Sequence, residues 1–479
     1  METNNGKVMM GFLWRLAERF GAQLISFIVS IILARLLTPE AYGKVALVMV
    51  FITILQVFVD SGMGNALIQK KDADDIDFSS VFYFNLVTCM ALYVLLFIFA
   101  PYIAHFYKNQ MDLVPFIRTI GLIIIISGLK NVQQAYVSRN MLFKRFFYST
   151  LGGTIISAIV GIWLAYLGFG TWALIAQQMT NMTIDTIILW CTVKWRPKRL
   201  FSWSRLKILL NYGWKLLVSS LIDTIDNNIR SIIIGKAYSA SDLAYYDKGK
   251  QFPFIIIANV NTAIDSVLLP VMSQEQDHIQ KVKAITRRAI KIGTYVIAPL
   301  MVGLAVIAEP LIQVLLTDKW MFCVPYLRVF SIAYLIWPIH TANLNAIRAL
   351  GRSDIFLKLE IVKKAVGLIL LMISIKYGAL AIAFSMLFSG ILGQFINSWP
   401  NKKLLNYGYF EQLKDIIPNL VLAIIMGVVV MLVGIINIPV YWLLMVQIIT
   451  GIFIYLVTSI LFKNESFVYL INTIKSIKR

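Results

Sequence analysis

Charge is scarce in this chain. Asp, Glu, Lys and Arg make up 14% of its 479 residues and only 24 of them are acids, whereas a soluble domain usually carries about 25% charged residues. So little polar surface cannot wrap a soluble core of this size. Cysteine is equally sparse. Cys89, Cys191 and Cys323 lie far apart in or beside apolar stretches with no CxxC pattern, which excludes a disulfide framework and leaves them as small buried hydrophobes. The three histidines, His105, His278 and His340, are scattered. HExxH, GxxxxGK[ST] and GxSxG patterns do not occur, so the usual metal, nucleotide and hydrolase signatures are missing. The expectation is a protein that is not an enzyme and has no cofactor and no metal centre.

Apolar sequence is what the chain has in abundance, with 59% hydrophobic residues and a mean hydropathy of +0.76. A membrane-crossing helix needs about 20 mostly apolar residues. Runs bounded by charge, Gly or Pro predict an all-α integral membrane protein of about fourteen transmembrane helices. The opening METNNGKVMMGFLWRLAERF enters the first run without a small-residue cleavage site, so that helix is expected to be retained. An even count puts both termini on one side. Most of the Lys and Arg behind the +20 net charge fall on connections sharing that side, including WRPKRLFSWSRLK, QDHIQKVKAITRR and the Lys402/Lys403 turn. Basic connections stay in the cytoplasm, so both termini are expected there, in a multi-pass protein of the cytoplasmic membrane. The same rule accounts for the charge without nucleic acid. The outer connections are short, the longest being roughly 236–250, which leaves no room for the outer domain expected of a membrane glycan polymerase or ligase.

An internal repeat is visible. Trp14-Arg15-Leu16 returns as Trp214-Lys215-Leu216, and Ser30-Ile31-Ile32-Leu33-Ala34-Arg35 as Ser231-Ile232-Ile233-Ile234-Gly235-Lys236. Each copy is followed by a short polar link with an acid and then a Tyr, and the next span in each half contains Asp-Ser, at Asp60 and at Asp265. Repeats of this kind build transporters. The expected organisation is two six-helix lobes around a central cavity plus two C-terminal helices. Residues 1–193 form the N-terminal lobe, 194–211 a basic cytoplasmic linker and 212–400 the C-terminal lobe. Residues 401–479 hold the last two helices and a basic amphipathic tail, FVYLINTIKSIKR, suited to an anionic membrane surface.

Charges inside membrane spans cost at least about 2.5–3.5 kcal/mol at the centre, so they generally face protein or water. Lys215, Ser219, Asp223, Asp226 and Arg230 fall within about an 80° arc of one helix. Arg15, Arg19, Gln23, Ser26 and Ser30 occupy the same steps in the first span. Arg118 and Lys130 add cations to a third span, and Arg grips phosphate in a bidentate manner. The candidate substrate-binding residues are therefore Arg15, Arg19, Arg118, Lys130, Lys215 and Arg230, and the candidate proton- or sodium-coupling residues are Asp60, Asp223, Asp226 and Asp265. Asp185 is a further embedded acid. Competing readings stand beside these: i,i+4 pairing of Asp226 with Arg230, pairing of Arg15 or Arg19 with Glu18, and headgroup contacts for Arg15, Arg19 and Arg118. Pro299, Pro310 and Pro338 predict bends.

Several stretches in order, ARLLTPEAYG, SRNMLFKRFF, NYGWKLLVSSLIDTIDNNIRSIIIGK, LAYYDKGKQFP, LLPVMSQEQD and RALGRSDIFLK, carry a resemblance over nearly the whole chain. The sequence resembles bacterial polysaccharide (O-antigen and exopolysaccharide) flippases of the multidrug/oligosaccharidyl-lipid/polysaccharide exporter superfamily. The resemblance implies a fourteen-helix, two-lobed transporter that moves undecaprenyl-pyrophosphate-linked oligosaccharide repeat units to the outer leaflet by alternating access. It implies a cationic cavity for pyrophosphate and sugar acids, to which Arg15, Lys130, Lys215 and Arg230 correspond, and polysaccharide polymerase machinery as a partner. The acids at Asp223 and Asp226 depart from a purely cationic cavity and leave room for proton or sodium coupling. Two other functions stand against this one: a drug or metabolite cation-coupled antiporter of the same superfamily, and a membrane glycan polymerase or ligase.

Overall fold

The computed structural model describes residues 2–60 and 62–477, and no strand occurs among them. They form two compact units that divide between Ala244 and Tyr245. The first contains α1 (Glu2–Leu36), α2 (Pro39–Asp60), α3 (Met63–Gln69), α4 (Asp75–Phe106), α5 (Leu113–Arg139), α6 (Phe143–Tyr166), α7 (Thr171–Thr192) and α8 (Trp203–Ala237). The second is built on α9 (Ala240–Gln274), which begins just before the division. It continues through α10 (Ile279–Val306), α11 (Ala308–Leu316), α12 (Val324–Leu335), α13 (Trp337–Ala349), α14 (Ser353–Ser374), α15 (Ala379–Leu404), α16 (Tyr409–Val433), α17 (Val440–Leu461) and α18 (Glu465–Ile477).

Eleven stretches are long and apolar enough to cross a membrane, counting α2 with α3 and α12 with α13 as one each. Three more helices, α7, α8 and α14, have 22, 35 and 22 residues, enough to cross at 1.5 Å per residue. Their charges and amides keep them outside the apolar set. The fourteen spans expected from sequence thus require α7, α8 and α14 to cross as well.

Local chemistry explains where several helices break. Pro39 opens α2, where its missing N–H costs nothing. Asp74 caps α4 by accepting from the backbone of Ile76 and Asp77, while Asp77 accepts in return from Asp74 N. The apolar run over 44–68 is interrupted at Gly62, whose φ of +66° separates α2 from α3. A Cβ at Gly62 would stand 2.7 Å from the carbonyl oxygen of Gly213, so the corner is glycine because α8 passes directly against it. The expected span 323–347 is interrupted at Ile336, with Pro338 in the first turn of α13. Pro310 opens α11, whereas Pro299 lies within a continuous α10.

The linker and the outer connection both differ from expectation. Helix α8 starts at Trp203, so only 193–202 is non-helical, because Leu206 and Leu209 dock into a core with Phe78, Phe82, Val132 and Trp195. The connection expected at 236–250 shrinks to Tyr238–Ser239, and LAYYDKGK is the start of α9. By packing, α8 belongs to the first unit, against α2, α3 and α4, so the compact units divide after it and not across 194–211. The tail forms α18 on α10. Its last two residues, Lys478 and Arg479, lie outside the described residues, as does Ser61 of the first Asp-Ser pair.

Candidate functional site

The polar face of α8 is where unmet charge collects. Both ends of this helix are tied down. At its start Arg205 donates to Asp74 at 2.5 Å, Lys198 pairs with Asp75 at 2.5 Å, and the hydroxyls of Ser79 and Ser80 accept from the backbone of Lys198 and Ser202 at 3.0 and 2.9 Å. The Arg205 guanidinium, with two backbone N–H groups, holds the Asp74 carboxyl down at about 2. At its end, Lys108 donates to the carbonyls of Ala237 and Tyr238, both at 2.9 Å. Between these ties the helix is largely open. Lys215, Ser219 and Asp223 are exposed, and Asp226 and Arg230 are half-buried.

Asp226 and Arg230 do not form the i,i+4 pair that would have silenced them. Among the described residues, Lys215, Asp226 and Arg230 make no hydrogen bond or ion pair. The Nε of Arg230 is buried with no acceptor. Arg has five donors in a rigid fork, and leaving a buried donor unmet costs roughly 1–3 kcal/mol. An incoming anion would remove that penalty.

The corresponding face of α1 has been dealt with differently. Arg15 donates to Glu18 at 2.8 Å, and its guanidinium lies 4.2 Å from the ring centre of Phe146 and 5.2 Å from that of Phe143. Glu18 also accepts from Thr150 at 3.1 Å. These contacts, with Trp14 edge-on to Phe147 at 5.0 Å, fasten α1 along α6. Arg19 is exposed and makes no hydrogen bond or ion pair among the described residues.

The two candidate cations of α5, Arg118 and Lys130, are also met by protein groups. Arg118 lies 4.1 Å from the ring centre of Phe97 and donates to its carbonyl at 3.4 Å. Lys130 forms a buried ion pair with Asp185 of α7, both side chains being about one-tenth exposed. Next to it Asn131 donates to Asp60 at 3.1 Å. Arg139, which closes α5, holds the carbonyls of Leu67, Lys70 and Lys71 at 2.6, 2.5 and 2.7 Å, pinning the end of α3.

In the second unit Asp265 accepts from Asn345 at 2.7 Å, and one turn earlier Asn261 accepts from Thr341. Sequence reasoning missed these partners. The signal was present as two i,i+4 polar pairs, Asn261/Asp265 and Thr341/Asn345, one on α9 and one on α13. Asn343, Asn401 and Gln412 form a fully buried amide knot joining α13, α15 and α16, with bonds of 2.6–2.9 Å. No cluster of His, Cys, Asp and Glu able to hold a metal occurs among the described residues.

Comparison with known proteins places this arrangement. The family model for "Polysaccharide biosynthesis protein" matches residues 32–325. The chain belongs to that family. Among its relatives, the teichuronic acid biosynthesis protein TuaB of Bacillus subtilis (strain 168) is 25% identical, over 73% of this chain and 72% of that protein. The succinoglycan biosynthesis transport protein ExoT of Rhizobium meliloti (strain 1021) is 25% identical over 67% of this chain and 65% of its own length. The lipopolysaccharide biosynthesis protein WzxC of Escherichia coli (strain K12) is 21% identical over 83% of each. In fold, the chain matches the lipid II flippase MurJ in its inward closed conformation with a TM-score of 0.77, at 17% identity over 94% of this chain and 99% of MurJ. An inward-facing multidrug resistance transporter of the MATE family matches at 0.62, with 16% identity over 81% of this chain and 96% of that one. This member of the family is a polytopic membrane protein with the fold of the lipid II flippase MurJ.

Proposed function

We propose that the protein is a flippase that carries the headgroup of an undecaprenyl-pyrophosphate-linked oligosaccharide repeat unit from the inner to the outer leaflet, by alternating access, for surface polysaccharide export. A pyrophosphate and a set of sugar hydroxyls lose their hydration in hydrocarbon, and each unmet polar group costs several kcal/mol there. The protein must therefore supply a polar path for the head while the polyprenyl tail stays in lipid. The observation that carries this reading is Arg230, half-buried with an unmet Nε on the same open helix face as Lys215. Of the six cations expected to bind substrate, Arg230, Lys215 and Arg19 are the ones available to an anion. Arg15, Arg118 and Lys130 are already engaged by protein groups. Asp226 is the acid best suited to proton or sodium coupling, since it stands one turn from Arg230 without a carboxylate or amide partner. Asp60 and Asp265 are each hydrogen-bonded to an asparagine.

This reading puts α7, α8 and α14 across the membrane as polar spans, giving fourteen, with both termini in the cytoplasm. The membrane is the bacterial cytoplasmic membrane, and a polymerase acting on the delivered units is the expected partner. Deleting the gene tests it. Lipid-linked repeat units should accumulate on the cytoplasmic face, and Arg230→Gln should fail to restore export at normal protein level. If no such units accumulate while sensitivity to cationic drugs rises, the protein is a drug or metabolite antiporter instead.

A further inference from the structure

The helices that follow the expected lobes carry a site that transport does not use. The inner ends of α10 and α16, together with the turn between α17 and α18, enclose a cavity of about 700 Å³. Its frame is a closed set of charges. Arg287 forks onto Asp415 with two bonds of 2.7 Å, and Tyr407 donates to the same carboxylate at 2.8 Å. Lys291 reaches Asp415 at 3.3 Å and Glu465 at 2.7 Å. The third lining carboxylate, Glu411, has Lys283 at 3.8 Å. Every acid of the cavity is thus matched.

Two lining cations are not matched. The ammonium groups of Lys414 and Lys463 make no hydrogen bond or ion pair among the described residues. Lys463 is held at a left-handed φ of 45°. Just after it, Asn464 caps α18 by accepting from Ser466 N and Phe467 N at 3.0 and 3.2 Å. Such a backbone is strained for a residue with a Cβ and persists where its surroundings hold it. The lining also includes exposed apolar side chains, Val421 on the same helix as Lys414 and Phe462 next to Lys463. Two unmatched lysines lining one cavity with exposed apolar side chains match a molecule with an anionic head and a hydrocarbon body. A soluble phosphate would leave those apolar side chains unused.

We infer that this cavity binds the phosphate headgroup of an anionic membrane phospholipid between Lys414 and Lys463, with its acyl chain along Val421 and Phe462. The full-length protein in zwitterionic phosphatidylcholine nanodiscs is titrated with dioleoyl-phosphatidylglycerol, and retained lipid and thermal stability are read together. The parent should retain phosphatidylglycerol and gain stability, and the Lys414→Gln/Lys463→Gln double variant should bind it about tenfold more weakly. A control double variant, Lys71→Gln/Lys207→Gln, removes the same charge elsewhere and should bind as the parent does. Water-soluble dihexanoyl-phosphatidylglycerol and inorganic phosphate should compete poorly. Equal weakening in both double variants overturns the site in favour of diffuse attraction to a cationic protein. Full competition by inorganic phosphate overturns the lipid as its ligand.

Discussion

Helices α1 and α8 carry the same polar steps, yet the first cation of each stripe meets a different fate. On α1 the stripe begins at Arg15, which is enclosed by Glu18, Phe143 and Phe146 and helps to fasten the helix to α6. On α8 it begins at Lys215, which is exposed, and ends at Arg230, whose Nε has no acceptor. The difference lies in how each helix is held. α1 packs face-on along α6, so its polar side has neighbours that answer it. α8 is tied at both ends, through Arg205 and Leu206 at one and Lys108 at the other, and among the described residues the side chains of Lys215, Asp226 and Arg230 between them make no hydrogen bond or ion pair. A cation engaged by protein groups and one without a partner among the described residues can therefore occupy matching steps of two helices.

The contrast between engaged and open cations can be broken by substitution. The largest effect is expected at Lys130, because removing one partner of a buried pair strands the other charge at a cost of roughly 3–5 kcal/mol. Lys130→Ala should lower the melting temperature sharply in detergent, and Lys130→Met combined with Asp185→Leu should recover much of the loss. Next comes Arg230→Gln, which should cut transport of a lipid-linked substrate in reconstituted vesicles about tenfold, or about 1.4 kcal/mol in the transport step. Its thermal stability should be equal to or above that of the parent, since an unmet donor is gone. If Arg230→Gln unfolds the protein instead, the guanidinium is structural and the contrast with Arg15 disappears.

Arg15→Ala should do the reverse, costing about 1–2 kcal/mol of stability through its charge-assisted bond and ring contacts. Transport per folded molecule should be unchanged. The smallest effect concerns the tie of α8 to Asp74. Because Arg205 lowers this carboxyl to about 2 from its ordinary 3.8, its contribution is complete above about pH 4 and is lost as the pH falls through 2. Labelling of a cysteine placed at Trp203 should quicken over that window. In Arg205→Ala the labelling should be fast already at neutral pH.

Much of the fold was legible because membrane insertion is a coarse filter. Apolar runs report on each segment separately, so the all-α, many-helix architecture could be read without knowing which helices touch. Breaks at Gly62 and Ile336 were less legible, since a glycine or proline in an apolar run is compatible with a continuous span until a neighbour such as Gly213 forces the turn. The start of α8 was misplaced for a related reason: SWSRLKILL looks like a charged linker, and only the docking of Leu206 and Leu209 makes it helix. The site was half legible. The stripe on α8 was visible as spacing, but the fate of each cation depended on residues far away in sequence, such as Asp185 for Lys130 and Phe146 for Arg15.

The sequence by itself determined the membrane class, the helical content, the excess of basic residues on one set of connections and the repeat of its polar steps. All of these follow from local composition and period. Only the tertiary structure decided which of the repeated charges remain open. Neutralisation requires a partner within a few ångströms, and that distance is set by how the helices pack: along α6 for α1, and against α2, α3 and α4 for α8.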